Sequence, residues 1–489
     1  MNLSILLWLP AAVGLFAAFS PRQIAGKLVA LGMLVALGLA IYLIADYDPS
    51  GGMQHVTDTM WISELGIHYK LGVDGLNLFL IGLTTLGFAA AAVAANFRQW
   101  EKPGLFYLHL ALGETAVLGA FMAQDLALFV VFFDLMLIPF YFLAGQWGTG
   151  DDRIRGVTKM VIYTFVGSLL MLAAAIATGV LTADDGRSIS FALSDLRAHR
   201  LGSGTQDWIF LLFALAFLVK MPAFPFHGWL PDGYRAMPVE VLAVFSGVLS
   251  KVAAYGFLRI VLPVFPDASA HFQDLMLVLA LASILYGSVM AFTSTNVRLV
   301  LGYSSVAQLG FITLGIFALN DRGAQGAVLQ MVNHGLVVLP LFLIVGILAR
   351  RAGGSEDLRD MGGIALRAPI LAALFLISAF ATLAMPGSSN FVGEFYILLG
   401  VFESKQVFAY VAFAGVALAA VYALRLFIRA MHNRTGPRVE SREISFRDGV
   451  VLVPLVAVIL FFAVYPQLAL HRGEKSVTAT IQPAVEVTK

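Results

Sequence analysis

The stretch "FALAFLVKMPAFPFHGWLPD", residues 213–232, starts as a lipid-soluble helix and then stops behaving like one. It is apolar through Val219, after which come Lys220, Pro222, Pro225, His227 and Asp232. Proline lacks a backbone donor and ends or kinks a helix. A charge at the centre of a membrane helix costs about 2.5–3.5 kcal/mol on insertion scales. Irregular backbone at membrane depth is tolerated only where protein or a water-filled cavity covers it. An ammonium group beside such a break therefore points to a polar interior.

The rest of the chain supplies the membrane setting. Its 489 residues are 59% hydrophobic and 12% charged, against about 25% charged in soluble domains. Fourteen candidate helices are predicted, near 2–19, 25–45, 73–95, 104–122, 125–145, 156–181, 208–229, 238–261, 272–294, 297–318, 324–349, 367–402, 406–431 and 449–468. The expected fold class is an all-α polytopic membrane protein. The first apolar run, "LSILLWLPAAVGLFAAF", has no basic residue before it and reads as a retained span. No cysteine occurs, which excludes disulfides, thiolate-held iron–sulfur clusters and Cys-ligated zinc. A net charge of +1 gives no nucleic-acid footprint. The polar tail after about residue 470 reads as a short disordered end or a contact to a neighbour.

Lysine and arginine in loops set orientation. The odd loops hold nineteen of them. The even loops hold six: Lys70, Arg187, Arg197, Arg200, Arg322 and Lys405. The odd loops are thus expected in the cytoplasm, with both termini outside. The longest loops, near 46–72 and 182–207, then also lie outside.

A second interrupted span is "LAMPGSSNFVGEF", residues 383–395. Its Glu394 follows Lys220 by 174 positions, and the helix groups 104–261 and 272–431 start 168 positions apart. Each group has five spans, an odd number, so the second is inverted relative to the first. Paired broken helices in inverted repeats point to a transport pathway near the midplane. The expected divisions are 1–103, 104–261, 262–431 and 432–489, with helices 7 and 12 broken.

Six ionisable residues fall inside spans: Glu114, Asp134, Lys220, Lys251, His334 and Glu394. Each also has a plainer reading. Glu114 and Asp134 can be structural partners of a lysine, and Lys251 one half of a structural ion pair. Lys220 can snorkel to an interface. His334 can be a neutral core histidine, and His227 can serve the broken backbone beside it. The functional reading is the general default for ionisable groups inside a membrane. Burial disfavours the charged form of lysine and carboxylate alike, and a nearby opposite charge restores it. A carboxylate–lysine pair whose spacing changes is therefore a switchable proton site, with water held at the broken backbone.

These residues sit in motifs that identify a family. "LGVDGLNLFLIGLTTL" at 71, "DLALFVVFFDLMLIPFYFLAGQWG" at 125, the forty residues from Lys220 to Arg259, "YSSVAQLGF" at 303, "QMVNHGL" at 330 and "PGSSNFVGEF" at 386 carry it. The chain resembles the M-type antiporter-like subunits of respiratory complex I, the proton-pumping NADH:quinone oxidoreductase, from about residue 71 to 430. The resemblance implies fourteen helices with two inverted five-helix repeats. It implies a proton pathway in which Asp134 pairs with Lys220, Lys251 connects, His334 follows and Glu394 is the exit group. Glu114 matches the family's fourth-helix carboxylate, and His227, read from its place beside the break, is a further candidate relay group. It implies no cofactor in this chain, with NADH, FMN, iron–sulfur clusters and quinone in partner subunits. The implied partners are sister subunits of the L and N types, small membrane subunits and lipid, in a hetero-oligomer of the bacterial plasma membrane. No redox chemistry is expected in the chain itself.

Three departures stand out. Asp134 takes a position that usually holds Glu, one methylene longer. Gln308 stands where the family often has a histidine, so one titrating group is absent. "NVRLV" at 296–300 replaces a more basic "DLKRL". These keep open an alternative within the same family: a subunit of a multi-subunit cation/proton antiporter, a hydrogenase or an inorganic-carbon uptake complex.

Overall fold

In the computed structural model, residues 1–50, 52–183 and 188–488 are described. Arg187, counted above among the even-loop cations, lies outside them. Twelve helices in the described residues are long and apolar enough to cross a membrane. Two more spans complete the fourteen: the apolar helix Leu3–Ala18, and a twelfth span built from Pro369–Thr382 and Ser389–Ser404.

The spans differ in how much of their surface meets other protein. Span 8 (Val239–Val264) and span 10 (Val297–Ile316) are buried all round, and span 11 (Asp321–Arg351) nearly so. Spans 2, 6, 13 and 14 bury only about a third to two-fifths of theirs. A helix with apolar residues on every side is either central or lipid-facing. Here spans 8, 10 and 11 are the centre, and they carry Lys251, Gln308 and His334.

Both expected breaks are present. The seventh span runs Ser203–Lys220, stops, and resumes as the short helix Leu230–Ala236. Pro222 disfavours helical geometry at Met221. The freed backbone is then satisfied locally: Trp229 Nε1 donates to the Val219 carbonyl at 3.0 Å, and Ser283 Oγ accepts from Phe224 N at 2.9 Å. Lys220 is thus the last helical residue, not a mid-span one as the 208–229 reading implied. The twelfth span breaks over residues 383–388, where Ala384 and Gly387 both take positive φ, 51° and 90°.

Two further irregularities were not expected. The fifth span is two helices, Leu126–Leu135 and Leu137–Trp147, joined at Met136 two residues past Asp134. Span 8 contains two π-helical turns, Phe245–Leu249 and Phe257–Val261, flanking Lys251. Such turns add a residue to the helical register and are frequent at functional sites.

Outside the spans the fold departs from the expectation in two places. The segment 46–72 holds an antiparallel hairpin, Gln54–Ile62 with Ile67–Val73, pairing Thr57 with Leu71 and Thr59 with Tyr69. Gly66 turns its tip at φ 59°, and a Cβ there would lie 2.0 Å from the Ile189 carbonyl oxygen, so no side chain fits. The tail is not disordered. Residues Gln467–Thr488 form a helix that buries Val477, Ile481 and Ala484 along one face. It packs on the start of span 11 and the turn after span 8, and is pinned by Gly75 N to Ser476 Oγ at 3.0 Å and Thr478 Oγ1 to Asp321 at 2.7 Å. The i, i+4, i+7 spacing of small apolar residues carries this signal in sequence, but three of its neighbours are charged and mask it.

Candidate functional site: a buried polar axis

The first half of the axis lies at the break in span 7. Lys220 is buried, 8% exposed. Its Nζ sits 4.8 Å from the centroid of the Phe133 ring, over the aromatic face. Asp134, the next residue, is within electrostatic reach. No ion pair within 4.0 Å joins the two among the described residues. Asp134 Oδ1 is buried without a hydrogen-bond partner, and so is Ser168 Oγ of span 6, which faces it. The shorter aspartate therefore leaves a gap where a longer carboxylate would reach further. The adjacent discontinuity at Met136 gives this segment a place to move.

His227 lies past the break. It packs between Phe224, Tyr286 and Tyr303, with ring centroids 5.7, 4.7 and 6.4 Å away, and its Nδ1 is buried without a partner. Glu114 stands apart. It is fully buried in span 4, and neither carboxylate oxygen has a hydrogen-bond partner.

The middle of the axis is Lys251 and His334. Lys251 Nζ donates to the Ser246 carbonyl at 2.8 Å and to Ser250 Oγ at 3.2 Å. Ser246 lies in the π-helical turn, and its Oγ meets Ser305 Oγ of span 10 at 3.3 Å. His334 is within electrostatic reach of Lys251, and both of its ring nitrogens are buried without partners.

The far half is a carboxyl held by amides. Gln308 Nε2 donates to Glu394 Oε1 at 2.7 Å, and Gln330 Nε2 donates to Gln308 Oε1 at 2.8 Å. Gln330 also reaches Glu394 Oε1 at 3.4 Å. Glu394 Oε2 is buried and unpaired. Tyr422 of span 13 stands beside it and accepts from Ser304 Oγ at 3.1 Å. Asn333 Nδ2 ties span 11 to the break in span 12 through the Ser389 carbonyl at 2.6 Å.

Gln330, Asn333, Tyr422 and Ser304 were missed in the sequence reading. Gln330 and Asn333 lie four and one residues before His334, so the first at least shares its helix face. Tyr422 gives no signal of its own. A second buried cluster was also missed: Arg259 Nη2 pairs with Asp74 Oδ1 at 2.5 Å and its Nε donates to Tyr255 Oη at 2.8 Å. Asn296, one of the noted departures, caps span 10 by accepting from Leu299 N at 3.1 Å. Arg298 beside it forks onto Glu356 and also donates to the Tyr234 and Met237 carbonyls, so one basic residue does several fastening jobs.

Buried polar atoms left without partners are rare and are normally served by water. Here many of them lie along the axis, at Asp134, His227, Gln330, Asn333, His334, Asn390 and Glu394, with Glu114 beside it. Among the described residues, no group of three or more His, Cys, Asp or Glu side chains is placed to hold a metal ion. The arrangement suits water-mediated proton movement between fixed groups.

Comparisons with known proteins agree with this geometry. A family model described as "NADH:quinone oxidoreductase/Mrp antiporter, TM" matches residues 123–419. NADH-quinone oxidoreductase subunit M of Escherichia coli K12 is 37% identical over 475 residues, covering 94% of this chain and 92% of that one. A chain of respiratory complex I from Thermus thermophilus, solved with bound NADH, superposes with a TM-score of 0.89 at 31% identity, covering 98% of this chain and 99% of that one. A chain of the Mrp complex from Dietzia sp. DQ12-45-1b shares the fold, with a TM-score of 0.84 at 21% identity over 100% of this chain and 99% of its own. The matched residues include both broken spans and every group of the axis except Glu114 and Tyr422, and on that basis the chain belongs to the NADH:quinone oxidoreductase/Mrp antiporter transmembrane family.

Proposed function

We propose that this chain is a proton-translocating, antiporter-like subunit of a complex I-type NADH:quinone oxidoreductase. The observation that carries the reading is the line of ionisable groups inside the spans, from Asp134 and Lys220 through Lys251 and His334 to Glu394, all but Asp134 buried and with the middle pair on spans that have little or no lipid face. Five such groups are far more than packing requires at the usual insertion cost.

The chain's own residues do electrostatic work. Asp134 stabilises the Lys220 ammonium through space. Coulomb energy falls with distance and rises as water is excluded, so moving Asp134 changes how firmly Lys220 holds its proton. A proton released there passes through water toward Lys251 and His334, and leaves by Glu394. His227 and Glu114 are relay groups at the edges of this path. The driving conformational change comes from quinone reduction in neighbouring subunits, which carry the NADH, FMN, iron–sulfur and quinone chemistry. This chain has no redox step.

The remaining placement follows the same reading. The two five-helix groups, 104–261 and 262–431, are inverted repeats, preceded by residues 1–103 and followed by 432–489. The odd loops face the cytoplasm of a bacterium and both termini face outside. Sister subunits of the L and N types and small membrane subunits are the partners.

The test is gentle extraction of the tagged chain, mass spectrometry of what co-purifies, and NADH-driven proton uptake by the recovered complex with Lys220→Ala as the variant. Flavin and iron–sulfur subunits should co-purify, and the variant complex should assemble but not pump. Recovery with small membrane subunits alone moves the assignment to a cation/proton antiporter of the same family.

A further inference from the structure

The Glu394 carboxyl is held asymmetrically. Oε1 receives Gln308 Nε2 at 2.7 Å and Gln330 Nε2 at 3.4 Å, whereas Oε2 is buried with no partner. The direction of the Gln308 amide is fixed by its other end. Its Oε1 accepts from Gln330 Nε2 at 2.8 Å, so its NH2 must face the carboxyl. An amide that donates to Oε1 occupies that oxygen as an acceptor. A proton on Oε1 would turn that oxygen into a hydroxyl, a weaker acceptor for the Gln308 donor, and Gln308 cannot titrate to adapt, so the bond favours the proton on Oε2. Among the described residues no Lys, Arg or His forms an ion pair with Glu394, and both donors, Gln308 and Gln330, fall on Oε1.

We propose that Gln308, locked by Gln330, is a positioning residue that confines the exchangeable proton of Glu394 to Oε2. The inference rests on the proton-translocation reading above and adds a direction to it. Protons enter and leave this carboxyl on one side only, and Gln330 Oε1 and Asn390 Nδ2 of the same cluster are likewise buried and unpaired. Asn390 precedes Glu394 by one helical turn, so both present the same face of the helix. Glu394 is then the one titrating group at this crossing of spans 10, 11 and 12, with a glutamine steering it from the side. Gly393 leaves room for this arrangement: a Cβ there would lie 2.5 Å from Gln330 Oε1.

The experiment is hydrogen/deuterium infrared difference spectroscopy of the purified complex, with the Glu394 carboxyl band assigned by its loss in Glu394→Gln. In the wild type the protonated carboxyl has a hydrogen-bonded carbonyl, Oε1. In Gln308→Leu that bond is gone and the carbonyl band should move to higher frequency. Proton transfer should fall roughly tenfold, the weight of one hydrogen bond to a charged group. Gln308→His keeps a donor and should restore both the band and the rate. Gln330→Leu should give a smaller band shift, and it serves as the test where Gln308→Leu does not assemble. An unchanged band and rate in Gln308→Leu, or an unchanged band in Gln330→Leu where that is the variant used, overturns the positioning role. The two failures are separable: if Glu394→Gln pumps at the wild-type rate, the reading of Glu394 as a group on the proton path is wrong, whereas the band still reports how the carboxyl is held.

Discussion

The two broken spans carry their buried charges in opposite ways. At the seventh, Lys220 has an aromatic face at 4.8 Å and a carboxylate beyond ion-pair distance. At the twelfth, Glu394 is gripped at 2.7 Å by an amide that is itself gripped at 2.8 Å. One charge is loosely held beside a segment with its own discontinuity, at Met136. The other is fixed in a lattice of side chains from spans 10, 11 and 13. The difference separates two tasks that a proton path requires: a site whose affinity changes as the protein moves, and a site whose geometry stays put.

The comparison breaks most decisively at the fixed end. Glu394→Gln should reduce coupled proton movement by at least about a hundredfold, as for removal of an essential acid–base group, while the complex still assembles. Retained pumping would mean that the clamped carboxyl is structural. At the loose end, Asp134→Asn should cost roughly tenfold, the scale of a charge pair somewhat beyond contact. Asp134→Glu should pump close to the wild-type rate, because the added methylene shortens the gap. A severe defect in the glutamate variant would show that the gap itself is required.

Two smaller effects sharpen the structural side. Trp229→Phe removes the indole donor to the Val219 carbonyl at the end of the helix that presents Lys220. A buried acceptor left unpaired costs about 1–3 kcal/mol, to be read as a lower thermal midpoint of the complex. Lys159→Ala breaks an exposed ion pair with Asp232, 2.7 Å long. Its stability change should stay within about 1 kcal/mol, and a larger loss would assign the short helix Leu230–Ala236 a greater anchoring role.

Much of this was legible in the sequence because the membrane makes errors expensive. Lys220, Lys251 and Glu394 announce themselves, since a charge in an apolar run needs a reason. Pro222 and Pro386 mark both breaks for the same cause. The second rank of the site was not legible. Gln330, Tyr422 and Ser304 are uncharged, and their place beside Glu394 depends on how spans 10, 11, 12 and 13 pack rather than on local pattern. Gln308 was noticed only as a missing histidine, and its part as a donor to Glu394 needed the geometry. The π-helical turns around Lys251 and the discontinuity at Met136 lie beside Gly247, Gly256 and Pro139, single residues inside long apolar runs whose effect on the helix was not read from the sequence. The closing helix 467–488 was hidden by its charged outer face, and the 54–73 hairpin by its irregular register.

The most direct test of the central claim, that protons cross by the buried axis, is the ratio of protons moved to NADH oxidised in liposomes containing the intact complex with Lys251→Ala. Lys251 lies between the two broken spans, touches no solvent, and its Nζ is held by Ser246 and Ser250 alone. The expected result is a complex that assembles and oxidises NADH but moves fewer protons per turnover. An unchanged ratio in an assembled complex would contradict the claim and leave the axis with a structural role only.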